Sequence, residues 1–225
     1  MTREYKYIRP ADIERESMRI IEEEMGQHGI QVPEAHLPIV KRVIHTTADF
    51  DYGENLKFTA DAVPRALEAL AAGGGTFITD TNMALSGISK PGLARLSLEG
   101  ICYMADPEIA AEAKEKGTTR ADVSMRRGAR EHPDGFFVSG NAPTALITLS
   151  ELIRDGLRPS LVIGVPVGFV NVVESKEELF ETCEAAGVPA IVAFGRKGGS
   201  NVAAAITNAL LYTAADTLDP GKRTW

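Results

Sequence analysis

The sequence predicts an α/β protein in three layers, with a mainly parallel sheet flanked by helices and a helical N-terminal segment. Three short apolar segments in the last third of the chain indicate the sheet, at residues 135–138, 161–165 and 190–194. Buried parallel strands are continuously apolar in this way. Amphipathic helical patterns separate these segments, as the crossover connections between parallel strands require.

The N-terminal third carries helical rather than alternating apolar patterns. These patterns predict helices over residues 12–29, 33–48 and 61–73. Ser17 lies on the apolar stripe of the first of them. Its hydroxyl therefore needs an acceptor, because an unsatisfied polar group on a buried face costs about 1–3 kcal/mol.

Two more strands and three more helices complete the predicted fold. They are expected at residues 76–79 and 101–104, and at residues 144–155, 175–186 and 201–213. We therefore expect one domain over residues 1–215. Residues 216–225 are polar and include Pro-Gly-Lys-Arg, so we predict that they form a flexible tail.

Composition and charge narrow the function classes. The chain has 225 residues, of which 44% are apolar and 24% charged, which is ordinary globular composition. Its net charge of -7 argues against nucleic-acid binding, which usually needs a basic field. An anionic ligand would therefore have to be bound by a local positive pocket.

Neither a membrane segment nor a metal site is indicated. The N-terminus lacks the apolar core of a signal peptide, and the longest apolar runs are too short to span a bilayer. Cys102 and Cys183 follow no metal-ligand spacing, and isolated thiols in a chain of this size favour a reduced, cytoplasmic protein.

Three glycine-bearing loops follow the predicted C-terminal strands, at residues 139–143, 166–169 and 195–200. Ligands of open parallel sheets bind at the carboxyl ends of strands, and glycine-rich strand-to-helix turns present N–H groups to anions. Arg196 and Lys197 add positive charge to the third loop. The loops match neither the Walker nor the dinucleotide spacing, so ordinary tight turns remain an equally good interpretation.

Histidine offers the best candidate for acid–base chemistry. The four histidines, at positions 28, 36, 45 and 132, do not have zinc-site spacing. His45 is distinguished by its context, because it ends a predicted helix and shares a face with Arg42, three residues earlier. An unperturbed histidine pKa of about 6.5 suits proton transfer near neutral pH. The residues alone indicate an α/β protein that binds an anionic small molecule.

Five motifs, in order along the chain, resemble the precorrin-8X methylmutase family. They are Tyr7-Ile8-Arg9 with Ser17 and Ile20-Ile21, Arg42-Val43-Ile44-His45, the run Gly140-Asn141-Ala142-Pro143-Thr144-Ala145-Leu146, Pro166-Val167-Gly168-Phe169-Val170 with Glu174-Ser175-Lys176, and Gly195-Arg196-Lys197-Gly198-Gly199-Ser200. Each motif is weak alone. Their common order over one chain makes coincidence very improbable.

The resemblance implies an activity and several residue roles. The family moves a methyl group from C-11 to C-12 of the tetrapyrrole precorrin-8X or cobalt-precorrin-8, which gives hydrogenobyrinate or cobyrinate. The histidine that matches His45 is the catalytic acid–base residue, and those matching Ser17 and Arg42 contact substrate. The resemblance further implies a homodimer that needs no external cofactor or metal.

A tetrapyrrole fringed with carboxylates needs several anion-binding groups. The predicted substrate-binding residues are Ser17, Arg42, Arg120, Asn141, Arg196, Gly198 and Ser200. Arg120 is equally well explained as a solvated residue near a helix start, and Asn141 as part of a turn. Two other functions stay open, a non-catalytic corrinoid carrier and a nucleotide-binding α/β enzyme with residues 195–200 as its phosphate loop.

Overall fold

A six-stranded sheet forms the centre of the molecule. The structure, a computed structural model, describes residues 9–223. The strands are β1 (Leu56–Phe58), β2 (Thr76–Thr79), β3 (Glu99–Ile101), β4 (Phe136–Ser139), β5 (Leu161–Gly164) and β6 (Ala190–Ala193). Their order in the sheet is β1-β6-β5-β4-β2-β3, and β2 to β6 are all parallel, whereas β1 pairs antiparallel with β6.

Helices connect the strands and cover both faces of the sheet. They are α1 (Pro10–Gln27), α2 (Leu37–Thr47), α3 (Tyr52–Asn55), α4 (Ala62–Ala72), α5 (Asn82–Gly87), α6 (Lys90–Arg95), α7 (Pro107–Lys116), α8 (Arg120–Glu131), α9 (Pro143–Arg154), α10 (Val172–Ala186) and α11 (Ser200–Ala214). Short 3-10 turns add Glu34–His36, Tyr103–Ala105 and Pro220–Lys222.

The core divides into two clusters, one on each face of the sheet. Phe136 and Val138 belong to the cluster that includes α1, α2, α4, α5, α6 and α11, whereas Phe137 belongs to the cluster of α7 to α10. This alternation is expected for a strand, in which successive side chains point to opposite faces. The predicted three-layer α/β fold with a mainly parallel sheet and a helical N-terminal segment is confirmed.

One predicted strand was misplaced. The expected strand at residues 101–104 lies earlier, as β3, and Tyr103–Ala105 forms a 3-10 turn instead. Residues 101–104 are apolar because Tyr103 packs into the core. Its hydroxyl donates to Glu131 at 2.5 Å. Gly100 interrupts the apolar pattern of β3, so the pattern does not mark the strand. Glycine is needed there because a side chain would meet Leu85 Cδ1 at 2.7 Å.

Several elements carried too weak a pattern for prediction. Strand β1 has three residues and only Leu56 is buried, so its sequence shows almost no periodicity. Helix α8 is dominated by polar residues and buries mainly small side chains, such as Ala121 and Ser124. The bounds of α7 and α8 are therefore not predictable from the apolar pattern.

The C-terminal segment lies against α1. Asp219 accepts a hydrogen bond from Arg15 Nη2 at 2.8 Å, and Arg223 Nη1 lies 2.8 Å from a carboxylate oxygen of Glu14. The last part of the predicted tail, residues 224–225, lies outside the described residues, as do Tyr7 and Ile8 of the first family motif. Within residues 9–223, no helix combines the length and apolar character needed to cross a membrane.

Candidate active site

The three glycine-bearing loops lie side by side at the carboxyl ends of β4, β5 and β6. A side chain at Gly140 would come within 2.7 Å of Ser200 Cα, and one at Gly198 within 2.2 Å of Val165 O. The Gly199 N–H donates to Val165 O at 2.8 Å. Glycine is therefore required at these positions because backbone packs directly on backbone.

The N–H groups of the first loop are already bonded to a carboxylate of the protein. Asp80, which follows β2 and is fully buried, accepts from Gly140 N at 2.9 Å, Asn141 N at 2.8 Å and Ala142 N at 2.7 Å. The Ser139 hydroxyl also donates to Asp80, at 2.9 Å. Because Asp80 is already the acceptor of these N–H groups, the structure favours the interpretation of this loop as a tight turn over that of an anion site.

Asn141, Gly198 and Ser200 all have structural roles in this edge of the sheet. The Asn141 side chain stays exposed, while its backbone is bonded to Asp80. Ser200 is 8% exposed, and its hydroxyl lies 2.8 Å from that of Thr81. Gly198 packs on the carbonyls of Val165 and Pro166, just after β5.

Both cations of the third loop are exposed, and Lys197 forms ion pairs beside the end of α2. Lys197 Nζ lies 2.6 Å from both Asp49 Oδ2 and Asp51 Oδ2, and hydrogen bonding to Asp49 and Asp51 raises the pKa of this lysine. Arg196 is exposed, with its guanidinium carbon 5.4 Å from the Phe169 ring centroid. Because Asp49 follows α2, the Lys197 ion pairs connect this loop to the end of the helix that carries His45.

His45 lies in the last turn of α2 and lines an open groove of about 310 Å³ with Ser17 of α1. The groove also includes Ile20, which is 40% exposed, and Phe50. Ser17 Oγ donates to Ile13 O at 2.8 Å, which supplies the acceptor that its position requires and leaves oxygen lone pairs for a ligand. The structure thus brings His45 and Ser17 to one surface.

Arg42 lies beside His45 within an ion-pair cluster. Its Nη2 lies 2.6 Å from Glu14 Oε1, and its side chain is only 13% exposed. Arg223 also bonds to Glu14, and both guanidinium groups lie over the Tyr212 ring, at 5.3 Å for Arg42 and 4.0 Å for Arg223. Two arginines around one carboxylate leave net positive charge close to His45, and Arg42 itself lines the neighbouring groove between α1, α2 and the C-terminal segment.

This cluster adjusts the pKa of His45. Burial and the positive charge of Arg42 lower the pKa from its ordinary value, and Glu14 opposes them by favouring the charged imidazolium. The imidazole is therefore poised to gain a proton when a ligand adds negative charge to the groove.

Arg120 lies apart from this groove. It begins α8, in the other helical layer, and donates from Nη1 to Met104 O at 3.2 Å. Among the described residues, the structure therefore does not bring Arg120 together with His45 and Ser17 in the groove.

Two features of the surface were missed by the sequence analysis. The loop after β5 exposes Phe169 by 82% and Val170 by 76%, next to Arg196. The motif that contains them was noted, but a sequence does not show that apolar residues face solvent. A second groove, of about 570 Å³, lies between α1, α2 and the C-terminal segment, lined by Met18, Lys41 and Leu218 among others.

Comparison with known proteins gives one consistent result. The sequence profile of the family described as CbiC, precorrin-8X methylmutase, matches residues 12–213. The chain is 42% identical to the cobalt-precorrin-8 methylmutase of Priestia megaterium, over 92% of this chain and 89% of the relative. It is 38% identical to the precorrin-8X methylmutase of Pseudomonas aeruginosa, over 91% and 96% of the two chains.

A solved structure is similar to this chain in fold as well as in sequence. The crystal structure of the precorrin-8x methyl mutase from Thermus thermophilus matches with a TM-score of 0.80 and 39% identity, covering 91% of this chain and 98% of the other. Near-complete coverage on both sides means that the whole domain is shared. The chain therefore belongs to the precorrin-8X methylmutase family and is an isomerase of corrin-ring biosynthesis.

Proposed function

We propose that this chain moves the C-11 methyl group of precorrin-8X or cobalt-precorrin-8 to C-12, with His45 as general acid and base. The products are hydrogenobyrinate and cobyrinate. The observation that carries the proposal is the groove shared by His45 and Ser17, which pairs one titratable imidazole with a hydroxyl beside the Arg42 charge.

The chemistry needs little more than one proton donor. In the shift, the bond from the methyl carbon to C-11 breaks as the bond to C-12 forms, so no atom leaves the macrocycle. Protonation of the ring by His45 withdraws electron density from the migrating centre, and the proton returns to His45 afterwards. General acid catalysis contributes about 10²–10⁴-fold, and the remainder comes from binding the ring in its reactive shape.

Recognition of the substrate combines apolar contact with ion pairing. The macrocycle lies over the exposed apolar side chains of the groove, and its peripheral carboxylates approach Arg196 and the Arg42 cluster. The hydroxyl of Ser17, whose O–H is bonded to Ile13 O, accepts one further hydrogen bond from the ring. The Asn141 side chain is exposed and can meet a carboxylate at the edge of the ring.

We further propose a cytoplasmic homodimer that binds neither nucleic acid nor membrane. The acidic net charge and the two free thiols support this assignment. A second subunit would cover apolar side chains that are unusually exposed for a monomer, such as Phe169 and Val170. Light scattering after size-exclusion chromatography measures the assembly, and a monomeric mass would contradict it.

Turnover of purified protein tests the proposed function. Precorrin-8X and cobalt-precorrin-8 are each mixed with the protein, and the absorbance spectrum is followed while mass spectrometry confirms an unchanged molecular mass. We expect conversion of at least one substrate to a product of the same mass with the methyl group at C-12. Tight binding of both without conversion of either would contradict the proposal and favour a corrinoid carrier.

The pH dependence of turnover is expected to reflect the lowered pKa of His45. An acid must be protonated, and the protonated form is lost as the pH rises through its pKa. The dependence of kcat/KM on pH reports the pKa of His45 in the free enzyme. The value of kcat/KM should therefore fall as the pH rises, with a midpoint below 6.5, the ordinary histidine pKa. Substrate carboxylates oppose Arg42 and raise the pKa in the complex, so the kcat profile should fall at higher pH.

Rates measured from about pH 5 to pH 9 in buffers of constant ionic strength provide this test. A kcat/KM value that rises with pH throughout the range would show that neutral His45 is the active form in the free enzyme.

A further inference from the structure

Lys176 is a fully buried lysine on α10. It and Asp80 are the two fully buried charged side chains among residues 9–223. Lys176 Nζ donates to Gly195 O and to Lys197 O, each at 2.8 Å. Both acceptors are main-chain carbonyls of the loop that carries Arg196.

A buried cation without a carboxylate partner is costly, because carbonyl dipoles replace only part of its hydration. The cost is visible in the lysine itself, since burial lowers the pKa of Lys176 to about 8. An apolar side chain of the same length would fit α10 without this cost. The advantage of the lysine must therefore lie in its two hydrogen bonds to the loop.

Those bonds fix the backbone on both sides of Arg196. Gly195 O and Lys197 O point inward to Lys176, and Arg196 O accepts from the Gly168 N–H at 3.3 Å. Three consecutive carbonyls of the loop are thus all bonded to the body of the protein. The Arg196 side chain is left pointing outward, over the Phe169 ring.

The same loop is connected to the α2 end of the site. Lys197 forms ion pairs with Asp49 and Asp51, only a few residues beyond His45. A change in the loop backbone at Lys197 would therefore displace both Arg196 and this connection.

We propose that Lys176 is a positioning residue for substrate recognition, which orients Arg196 toward a peripheral carboxylate of the tetrapyrrole. This inference rests on the proposed function, since it assumes that Arg196 contacts the substrate. Lys176 itself is buried and acts through the loop. Its loss should weaken binding of the ring and leave the chemical step at His45 nearly unchanged.

The test compares Lys176→Met with wild type and with Leu179→Ala. Leu179 is also fully buried on α10, three residues further on, but it packs against the β5 side of the core. Its truncation leaves a cavity and destabilises the protein without touching the loop. All proteins are assayed well below their melting temperatures, with KM, kcat and the Kd for hydrogenobyrinate measured by absorbance.

We expect Lys176→Met to raise KM and the hydrogenobyrinate Kd by roughly tenfold, as for the loss of one hydrogen bond to a charged group. The kcat value should change less than about threefold. Leu179→Ala should lower the melting temperature but leave KM and Kd close to wild type. Lys176→Gln, which retains a donor, should give intermediate values and replaces the Met variant if that protein does not fold.

A double-mutant cycle with Arg196→Met separates positioning from general damage. If Lys176 acts through Arg196, the double variant should bind no more weakly than Arg196→Met alone. Additive losses, or an unchanged Kd in Lys176→Met, would overturn the proposal. Because the Kd needs no turnover, it decides the role of Lys176 even if the wild-type protein proves inactive, which would overturn the proposed function instead.

Discussion

Replacing His45 with alanine is expected to lower kcat by about 10²–10⁴-fold, the usual contribution of a general acid. The side chain lies at the surface of the groove, so its removal leaves no buried cavity or unpaired buried group. Folding and the binding of hydrogenobyrinate should therefore stay close to wild type. Stopped-flow absorbance at saturating substrate measures the rate, and an equilibrium titration with product measures the binding.

His132→Ala is the matched control for this experiment. His132 ends α8 in the other helical layer, so its replacement should leave kcat within about twofold of wild type. A His45→Ala protein that turns over at nearly the wild-type rate would contradict an acid–base role for His45. The corrinoid-carrier alternative predicts equal product binding in both proteins and no turnover in either.

Replacing Asp80 with asparagine is expected to lower the free energy of unfolding by about 3 kcal/mol. The buried carboxylate accepts three backbone N–H bonds and one hydroxyl bond across the carboxyl ends of β2 and β4. Asparagine has the same shape, but its amide group presents N–H where the loop already presents donors. At least one buried N–H therefore loses its acceptor.

Urea denaturation followed by circular dichroism measures this change. Asp216→Asn serves as the control, because the Asp216 side chain is 90% exposed and should shift the stability by less than about 0.5 kcal/mol. An Asp80→Asn protein as stable as this control would show that the loop N–H groups find other acceptors.

Most of the fold was predictable because the parallel strands are continuously apolar. The pattern predicted the strand at residues 76–79 with the bounds of β2, and placed β4, β5 and β6 within one residue at each end. It failed where burial is slight or where small residues replace large ones. Gly100 interrupts the apolar pattern of β3, and α8 has few large apolar residues, because it buries mainly small side chains.

The candidate site was less predictable, because its contacts join distant parts of the chain. The family resemblance pointed to His45, Ser17 and Arg42, but not to the acceptors that surround them. Asp80 binds a loop about 60 residues away, and Glu14 pairs with both Arg42 and Arg223. The expected anion site at residues 139–143 looked open for this reason.

Two grooves compete for the substrate on this face of the molecule. The one that contains His45 and Ser17 is about 310 Å³, whereas the one between Met18, Lys41 and Leu218 is about 570 Å³. The larger groove has more volume for a macrocycle. It also includes Arg42, but it lacks His45, and its Lys41 lies 2.6 Å from Glu22. The chemistry therefore favours the smaller groove.

A crystal structure of the protein with hydrogenobyrinate bound tests this choice most directly. We expect the macrocycle to lie over His45, with an imidazole nitrogen within hydrogen-bond distance of the ring and a peripheral carboxylate at Arg196. A macrocycle bound beside Lys41 and Leu218, with His45 facing solvent, would contradict it.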